Sequence, residues 1–236
     1  MELFYQENIE SNQQNVVFSS EESRHIVQVL RKKNGDQVSV TNGKGLQWDG
    51  KIFISSNRKV TAKKVNSILH KNKKPKLHIA IAPPKNIDRM EWFIEKSTEI
   101  GISQITPLIC DHSERKVIKV LRMKKILIGA IKQSNQFYLP QINPICDYKS
   151  FMEKNFSEIK MIAHCREGNK KELHKIEKIQ SPLLILIGPE GDFSEKEIEI
   201  ARTNSFIEIS LGNQRLRTET AGLFACNSVE ILRRTN

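Results

Sequence analysis

The sequence has few cysteines and no motif that pairs them. The four cysteines stand at positions 110, 146, 165 and 226, without a Cys-x-x-Cys spacing and without paired histidines beside them. Zinc sites and disulfide frameworks require such groupings. We therefore expect no metal, and thiols that are reduced and mostly buried.

Long apolar runs are absent as well. No stretch reaches the roughly 20 apolar residues that a membrane-spanning helix needs, and the segment from Met1 to Glu7 lacks the basic and then apolar regions of a signal peptide. We expect a cytoplasmic protein with no membrane partner.

Two phosphate-binding motifs are also missing. No Gly-x-Gly-x-x-Gly follows an apolar run, which counts against a dinucleotide-binding Rossmann domain. Lys44 lies between two glycines, but the P-loop pattern is absent, and Asn42 to Gly45 is typical of a turn.

Acidic residues are fewer than basic ones. The chain has 38 Lys and Arg against 27 Asp and Glu, a net charge of +11. Residues 1 to 75 hold 13 of the basic and 7 of the acidic residues, so this third is the more basic per residue. The balance favours a polyanionic partner over an acidic small molecule, although a solvated lysine-rich surface explains charge alone equally well.

The first 70 residues have the pattern of a small β domain. Strand-like runs over 37–41 and 46–54 flank the turn and predict a hairpin. The polar, basic and proline-broken segment that follows is typical of a linker. We predict a β domain at 1–70, a linker at 71–76 and a second domain at 77–236.

A helix is predicted inside the β domain, from about Glu21 to Lys32. Ser19 and Glu22 have the spacing of a capping box. The apolar residues that we expect on one face of this helix are Ile26, Val29 and Leu30.

The second domain alternates between strand-like and helical patterns. Such alternation predicts an α/β domain with a mostly parallel sheet covered by helices on both faces. The predicted strands are Leu77–Ala82, Gln104–Ile109, Lys160–His164, Leu183–Ile187 and Phe206–Ser210, and the predicted helices are 87–100, 117–134, 170–178, 194–203 and 218–233.

Two glycine-containing loops, Ile187–Ser194 and Leu211–Gly222, follow the last two predicted strands. Because parallel strands end at one edge of a sheet, we expect both loops at one crevice, where α/β proteins bind ligands. A helix follows each loop: Ser194 and Glu197 have the spacing of a capping box, and Thr218 is expected to cap the last helix.

These loops resemble those of a known enzyme family. The run Gly188-Pro189-Glu190-Gly191, with Leu211-Gly212 and Leu216-Arg217-Thr218-Glu219-Thr220-Ala221 after it, is similar to the signature of SPOUT-class RNA methyltransferases. Within that class the sequence is most similar to the bacterial 16S ribosomal RNA (uracil-N3)-methyltransferases. Further matches cover nearly the whole chain: His25-x4-Leu30-Arg31, the run from Glu95 to Gly101, Ser113-Glu114-Arg115, and Gln133-Ser134.

The resemblance implies a function and a fold. The function is methylation of a uridine N3 in 16S ribosomal RNA, with S-adenosylmethionine as cofactor and the RNA or the small ribosomal subunit as partner. The fold is α/β, with an N-terminal, β-barrel-like (PUA-like) RNA-binding domain and a C-terminal SPOUT domain. That domain would carry a trefoil knot, which topology rules alone would exclude, and would pair as a homodimer through the knotted region. Attack on a methyl sulfonium needs no metal.

The cofactor is expected at the two loops. Glycines there permit close approach of the backbone, and apolar side chains would rim a slot for adenine. The residues expected to bind the cofactor are His164, Ile187, Gly188, Pro189, Glu190, Gly191, Leu211, Gly212, Leu216 and Thr218.

Two residues are expected to be catalytic. Methylation at uracil N3 must remove a weakly acidic proton, so a base or a cation beside the uracil oxygens is required. Arg217 would stabilise the developing charge, or alternatively hold a phosphate. Glu219 would act as base, or alternatively complement the helix dipole.

The residues expected to contact RNA are Arg24, Arg31, Lys32 and Arg115, the last with interdomain contact as its alternative. Asp111 and His112 are weaker site candidates, and Lys96 and Glu99 are expected to form a solvated ion pair.

Two other functions stay open at this point. One is a SPOUT methyltransferase that acts on another position or on transfer RNA, and the other is a non-catalytic, ribosome-associated RNA-binding factor. The intact glycines and Arg217-Thr218-Glu219 argue against loss of catalysis.

Overall fold

The structure is a computed structural model that describes residues 2–72, 75–176 and 180–234. It divides into two units. One unit comprises Met1–Lys73 and Ile131–Leu139, and the other comprises Lys74–Ala130 and Pro140–Asn236. Composition contained no sign that residues 131–139 join the first unit.

The first unit contains a five-stranded sheet in the order β1-β3-β4-β5-β2. The β3–β4 hairpin confirms the prediction, and only β1 pairs in parallel, with β3. Alternate residues from Leu46 to Ile52 in β4 are buried, and the core includes Trp48 and Ile52. The strands are β1 (Leu3–Tyr5), β2 (Asn15–Val17), β3 (Gln37–Thr41), β4 (Leu46–Ser56) and β5 (Lys59–Leu69).

The helix of this unit is shorter and less regular than predicted. Helix α1 spans Ser20–Arg24 and continues as one π-helical turn over His25–Val29. Arg31 has a φ of 53°, a left-handed conformation that stops the helix before Lys32. Ile26 is buried as predicted, but Val29 is 65% exposed, so its place on the buried face was wrong.

The capping box of this helix forms only in part. The Ser19 hydroxyl accepts a bond of 3.1 Å from the Glu22 amide, as predicted. The Glu22 carboxylate instead accepts a bond of 2.7 Å from Lys132 Nζ. Residues 131–139 therefore supply a partner that local spacing cannot reveal.

The returning segment 131–139 bonds to the turn between β3 and β4. The Leu139 amide donates to the Gly43 carbonyl at 2.8 Å, and the Gly45 amide donates to the Phe137 carbonyl at 2.8 Å. The Phe137 ring stacks on His70 with 4.3 Å between centroids. The segment is thus part of the first unit's structure.

The second unit is an α/β fold around a sheet whose paired strands are all parallel, as predicted. The strand order is β11-β13-β10-β12-β6-β7-β8, with β9 also paired to β7. All residues of β6 and β12 are buried, which explains their unbroken apolar runs. The strands are β6 (Leu77–Ile81), β7 (Gln104–Ile109), β8 (Gln141–Ile142), β9 (Cys146–Asp147), β10 (Ile159–Ala163), β11 (Lys171–Glu172), β12 (Leu183–Ile187) and β13 (Ile207–Ser210).

Four of the five predicted helices of this domain are present, and one prediction was wrong. In place of this helix, Lys171–Glu172 form β11 and Leu173–Lys175 form a short 3-10 turn, because β11 pairs with β13. The end of the predicted helix, 177–179, lies outside the described residues. The helices are α2 (Ile87–Ile100), α3 (Val120–Gln133), α4 (Tyr148–Met152), α5 (Glu195–Thr203) and α6 (Thr218–Arg234). In the described ranges, none of the helices has the length and apolar character to span a membrane.

Candidate functional site

Three adjacent strands end beside one another at the candidate site. Strand β10 lies between β12 and β13, and Ala163 at its end is level with Ile187 and with Ile209. Both glycine-containing loops therefore begin at the same edge of the sheet, which confirms that prediction.

A cavity of about 650 Å³ lies at this edge. Its volume is within the range typical of small-molecule sites. Nine of the ten residues expected to bind a cofactor line it, and Gly191 is the exception. The cavity is lined by Arg89, Ala163, His164, Cys165, Lys170, Ile187, Gly188, Pro189, Glu190, Asp192, Ile209, Ser210, Leu211, Gly212, Asn213, Gln214, Arg215, Leu216, Arg217, Thr218 and Ala221.

Three glycines of the loops, Gly188, Gly191 and Gly212, meet different constraints. Gly212 has a φ of 129°, and a Cβ on it would meet no atom within 4 Å, so it combines left-handed backbone with open space. A Cβ on Gly188 would lie 3.1 Å from the Phe193 ring. A Cβ on Gly191 would lie 2.9 Å from His112 Cβ. Gly191 thus allows packing against His112 instead of lining the cavity.

Asp192 holds the first loop in shape. Its φ is 63°, and its amide closes a turn by donating to the Pro189 carbonyl at 2.9 Å. Its carboxylate accepts a bond of 2.8 Å from the Cys165 amide, which follows β10. Sequence reasoning missed Asp192, although an Asp two residues before a helix N-cap is a common turn former.

The helix after the first loop begins as predicted. The Ser194 hydroxyl accepts from the Glu197 amide at 3.2 Å, and Glu197 Oε2 accepts from the Ser194 amide at 2.9 Å. The Ser194 hydroxyl also donates to the Asp111 carboxylate. His112 Nδ1 lies 2.9 Å from the Asp192 carbonyl. Asp111 and His112 therefore support the loop and do not line the cavity.

The second loop is bonded to the first at two points. Thr218 Oγ1 donates to the Gly188 carbonyl at 3.0 Å, so its predicted role as a helix cap was wrong. Thr218 is buried and is the first residue of α6, so it does not stand at the N-cap position. Its hydroxyl bonds to the other loop instead. Arg215 Nη2 donates to the Glu190 carbonyl at 3.1 Å.

Glu190 also connects the first loop to the segment after β6. Its carboxylate accepts a bond of 3.0 Å from the Lys85 amide. Arg115 reaches the same segment, because its Nε donates to the carbonyls of Pro84 and Lys85 at 3.2 and 3.1 Å. The structure thus gives Arg115 main-chain partners within the second unit, and its contact with RNA stays a prediction.

His164 lies below the cavity surface. Its side chain is 0% exposed, and its Nε2 is 2.7 Å from Glu208 Oε2. Glu208 also accepts a hydrogen bond of 2.7 Å from Arg202 Nε. This hydrogen bond is the main cause that lowers the pKa of Glu208. His164 therefore faces the cavity with its main chain, whose carbonyl accepts a bond of 2.9 Å from Lys170.

The two expected catalytic residues lie at the start of α6. The Arg217 side chain is exposed at the cavity, and among the described residues no hydrogen bond or ion pair engages it. The Glu219 side chain is 10% exposed, and Arg89 Nε lies 3.6 Å from its Oε1. Arg89, in the first turn of α2, also lines the cavity and was missed by sequence reasoning. Arg89 reaches the cavity because α2 follows β6, which pairs with β12, and no local spacing in the sequence indicates this pairing.

The basic residues predicted to contact RNA in the first unit differ in solvent exposure and in the partners that their side chains already bind. Arg24 and Arg31 are exposed. Lys32 is partly buried, and its ammonium pairs with Glu2 at 2.9 Å and donates to the Gln37 carbonyl at 3.3 Å. Arg24 and Arg31 are therefore the better candidates.

The remaining predictions concern thiols, metals and one ion pair. Cys110 and Cys226 are buried, and burial raises the pKa of Cys226 to about 12. Cys165 is exposed at the cavity, contrary to the expectation of mostly buried thiols. Lys96 pairs with Glu99 at 2.9 Å as predicted, and also with Glu95. Within ranges 2–72, 75–176 and 180–234, no His, Cys, Asp or Glu cluster has the arrangement of a metal site.

The chain matches two family models. The model described as RNA methyltransferase domain matches residues 71–230, and the model described as RNA methyltransferase PUA domain matches residues 18–65. The two matches fall in both units and leave residues 1–17, 66–70 and 231–236 outside.

Curated relatives and solved structures agree with these matches. The ribosomal RNA small subunit methyltransferase E of Buchnera aphidicola subsp. Acyrthosiphon pisum is 31% identical, over 98% of this chain and 92% of its own. A probable rRNA methyltransferase from Porphyromonas gingivalis is 34% identical with a TM-score of 0.90, over 100% of this chain and 99% of its own. A ribosomal RNA small subunit methyltransferase E from Neisseria gonorrhoeae, solved with S-adenosylmethionine, is 27% identical with a TM-score of 0.88, over 98% of both chains.

Proposed function

Because the chain belongs to the RNA methyltransferase family with an N-terminal PUA-like domain, we propose that it methylates N3 of a uridine in 16S ribosomal RNA with S-adenosylmethionine. The observation that carries this proposal is the cavity at the ends of β10, β12 and β13, lined by both loops. Two of the named proteins are ribosomal RNA small subunit methyltransferases, which supports the substrate. We therefore also propose that the protein acts in the cytoplasm.

The cavity fits S-adenosylmethionine in size and in the kind of lining. Ile187, Leu211 and Leu216 offer apolar surface for adenine, and the main chain of both loops offers donors and acceptors. Gly212 leaves open space where any other residue would place a Cβ. When bound, the cofactor supplies a methyl group on a positively charged sulfur. The loop residues bind it, and the bonds from Thr218 and Arg215 keep the loops together.

The residues at the start of α6 have the chemistry that uracil N3 requires. A carboxylate there can accept the N3 proton, and Glu219 is the candidate because it is buried in the first turn of the helix. Arg217 lines the cavity and can stabilise the negative charge that develops on a uracil oxygen, whereas Glu219 is not a lining residue and contacts Arg89, which is. The proton thus moves to Glu219 Oε while Arg217 binds the oxygen.

We also propose the finer features that the family resemblance implies. The second unit would be a SPOUT domain whose loops form a trefoil knot, and α6 would lie in a homodimer interface. Support for the interface comes from Phe224 and Ile231, which are exposed on α6 and spaced by seven residues, so they share one face of the helix. Sedimentation analysis of the unaltered chain and of Ile231→Glu tests this. A monomeric unaltered chain would refute the dimer.

Two measurements test the proposed activity. Calorimetric titration with S-adenosylmethionine is expected to show one site per chain. Methyl transfer to small ribosomal subunits that lack the modification, followed by mapping of modified uridines, should yield a single N3-methyluridine. Binding without transfer would favour a non-catalytic RNA-binding factor, and a modified base elsewhere would favour another methyltransferase of the same class.

The Arg217→Ala variant tests the assignment of the cation. We expect methyl transfer to fall by about a hundredfold or more, while the Kd for S-adenosylmethionine stays within threefold. Lys170→Ala is a matched control, because Lys170 lines the cavity but donates to main-chain carbonyls. Equal losses of cofactor affinity and turnover in Arg217→Ala would assign Arg217 to cofactor binding instead.

A further inference from the structure

Arg89, which lines the cavity, forms an ion pair with Glu219, which is not a lining residue. Glu219 has a side chain only 10% exposed, and Arg89 Nε lies 3.6 Å from its Oε1. A carboxylate removed from water to this extent needs a partner. In the described part of the chain, Arg89 is the one cation within 4 Å of it.

The shortest approach within the pair is from Arg89 Nε, at a distance of 3.6 Å that is too long for a hydrogen bond. The Arg89 side chain is 36% exposed and lines the cavity, and no hydrogen bond to its Nη1 or Nη2 is present among the described residues. A guanidinium presents its donors as a planar fork that can bind two acceptors at once. Arg89 therefore has donors left for a molecule inside the cavity.

Another ion pair of α2 shows the contrast. Arg122 approaches Glu91 with Nε and with Nη2, the latter at 2.9 Å from Oε2, so both nitrogens on one edge of its guanidinium contact the same carboxylate. Neither Arg122 nor Glu91 lines the cavity. Arg122 thus uses two nitrogens on its carboxylate, away from the cavity. Arg89 lines the cavity, and its Nη groups make no hydrogen bond to the described residues.

We propose that Arg89 is a positioning residue that couples Glu219 to the target nucleotide. Its Nε holds the Glu219 carboxylate, and its Nη groups bind an oxygen of the nucleotide, either a uracil carbonyl or a phosphate. Binding of the nucleotide then fixes the carboxylate that receives the N3 proton. This inference rests on the proposed function, because it takes Glu219 as the base and adds Arg89 as the residue that positions it.

The test uses the full chain with saturating S-adenosylmethionine and small ribosomal subunits that lack the modification. Variants are Arg89→Gln, Arg89→Lys, Glu219→Gln and the double Arg89→Gln/Glu219→Gln, with Arg122→Gln as the matched control. Measured quantities are kcat, KM for the subunits, the Kd for S-adenosylmethionine and the melting temperature.

We expect Arg89→Gln to lower kcat/KM by about tenfold to a hundredfold, with the cofactor Kd within threefold of the unaltered chain. A fall in kcat identifies a uracil oxygen as the partner, and a rise in KM identifies a phosphate. Arg89→Lys should restore only part of the loss, because an ammonium is not a fork. The double variant should be no slower than Glu219→Gln, since the two residues act as one unit.

Several results would overturn the inference. These are a kcat/KM for Arg89→Gln that equals that of Arg122→Gln, a loss confined to melting temperature or cofactor Kd, or additive effects in the double variant. Each leaves the proposed function intact if the unaltered chain methylates the subunits. An unaltered chain that binds neither cofactor nor RNA would refute the proposed function, and this inference with it.

Discussion

The hydroxyl of Thr218 donates a hydrogen bond of 3.0 Å to the carbonyl of Gly188, and both groups are buried. Gly188 is the first residue after β12, and Thr218 is the first residue of α6. One bond thus fixes the start of the first loop against the end of the second. The two loops that line the cavity are therefore joined by a contact between residues that lie 30 positions apart in the sequence.

Replacement of Thr218 by Val removes this bond at nearly constant volume. The Gly188 carbonyl would then be buried without its donor, which costs about 1 to 3 kcal/mol. We expect the Kd for S-adenosylmethionine to rise about tenfold and the melting temperature to fall by a few degrees. Calorimetry and thermal melting check this, with Thr220→Val, an exposed neighbour on α6, as control. An unchanged Kd would show that the loops keep their arrangement without the bond.

Replacement of Gly212 by Val is expected to abolish binding of S-adenosylmethionine. The φ of 129° is a conformation that β-branched residues rarely adopt, and the new side chain would enter the cavity. Gly35→Val is the matched control, because Gly35 also has a positive φ, of 90°, and open space around its Cβ, but belongs to the first unit. Both variants should lose similar stability, and only Gly212→Val should lose the cofactor. Retained affinity in Gly212→Val would place the cofactor elsewhere.

Sequence patterns located the sheet edge well for a physical reason. The apolar run Leu183–Ile187 is buried on both faces of a parallel sheet, so its ends coincide with those of β12. Glycines and a capping box then mark the loops, because left-handed backbone and unpaired helix amides require particular residue types. These are local constraints, and a single sequence contains them.

Other parts of the site depend on contacts between distant residues. Asp192 bonds to the amide of Cys165, and Arg89 reaches Glu219 from another helix. Neither pairing has a spacing rule. The predicted helix at 170–178 failed for the same reason, since pairing of β11 with β13 outweighs local propensity. Glu22 does not complete its predicted capping box because its carboxylate binds Lys132, which lies 110 residues further along the chain.

The buried His78 is expected to make stability depend on pH. Its Nε2 lies 2.7 Å from Thr106 Oγ1, which also accepts a bond from Asn143, and burial, with Lys154 as a lesser cause, lowers the pKa of His78 to about 4. Between pH of about 6.5 and 4, the unfolded chain takes up a proton here that the folded chain does not. The free energy of unfolding should therefore fall as pH falls through this window, by about 3 kcal/mol at most.

Urea unfolding at pH 7 and pH 5 of the unaltered chain and of His78→Asn measures this contribution. The variant should be less stable at pH 7, because Thr106 loses a partner, but its free energy of unfolding should change less between the two pH values. His174→Asn is the control, since His174 is exposed. Equal pH dependence in His78→Asn and the unaltered chain would contradict the assignment to His78.

Binding of RNA by the first unit is best tested in the full chain. A fragment that begins at residue 76 would leave residues 131–139 without the Gly43 and Gly45 groups that they bond, so its loss of RNA affinity could reflect misfolding. Substitutions on the exposed surface avoid this. Arg24 and Arg31 are the cations to change, because Lys32 is already paired with Glu2.

The double variant Arg24→Gln/Arg31→Gln is expected to bind a single-stranded ribosomal RNA fragment more weakly and with less dependence on salt. Each lost phosphate contact reduces the slope of log affinity against log salt by about 0.7, so two contacts should reduce it by about 1.4. Filter binding over a salt series measures the slope, and an unchanged cofactor Kd shows that the second unit is intact. Lys119→Gln/Lys125→Gln changes the net charge equally on exposed residues of the second unit. If both double variants give the same slope, only total charge matters, and the RNA surface does not include Arg24 and Arg31.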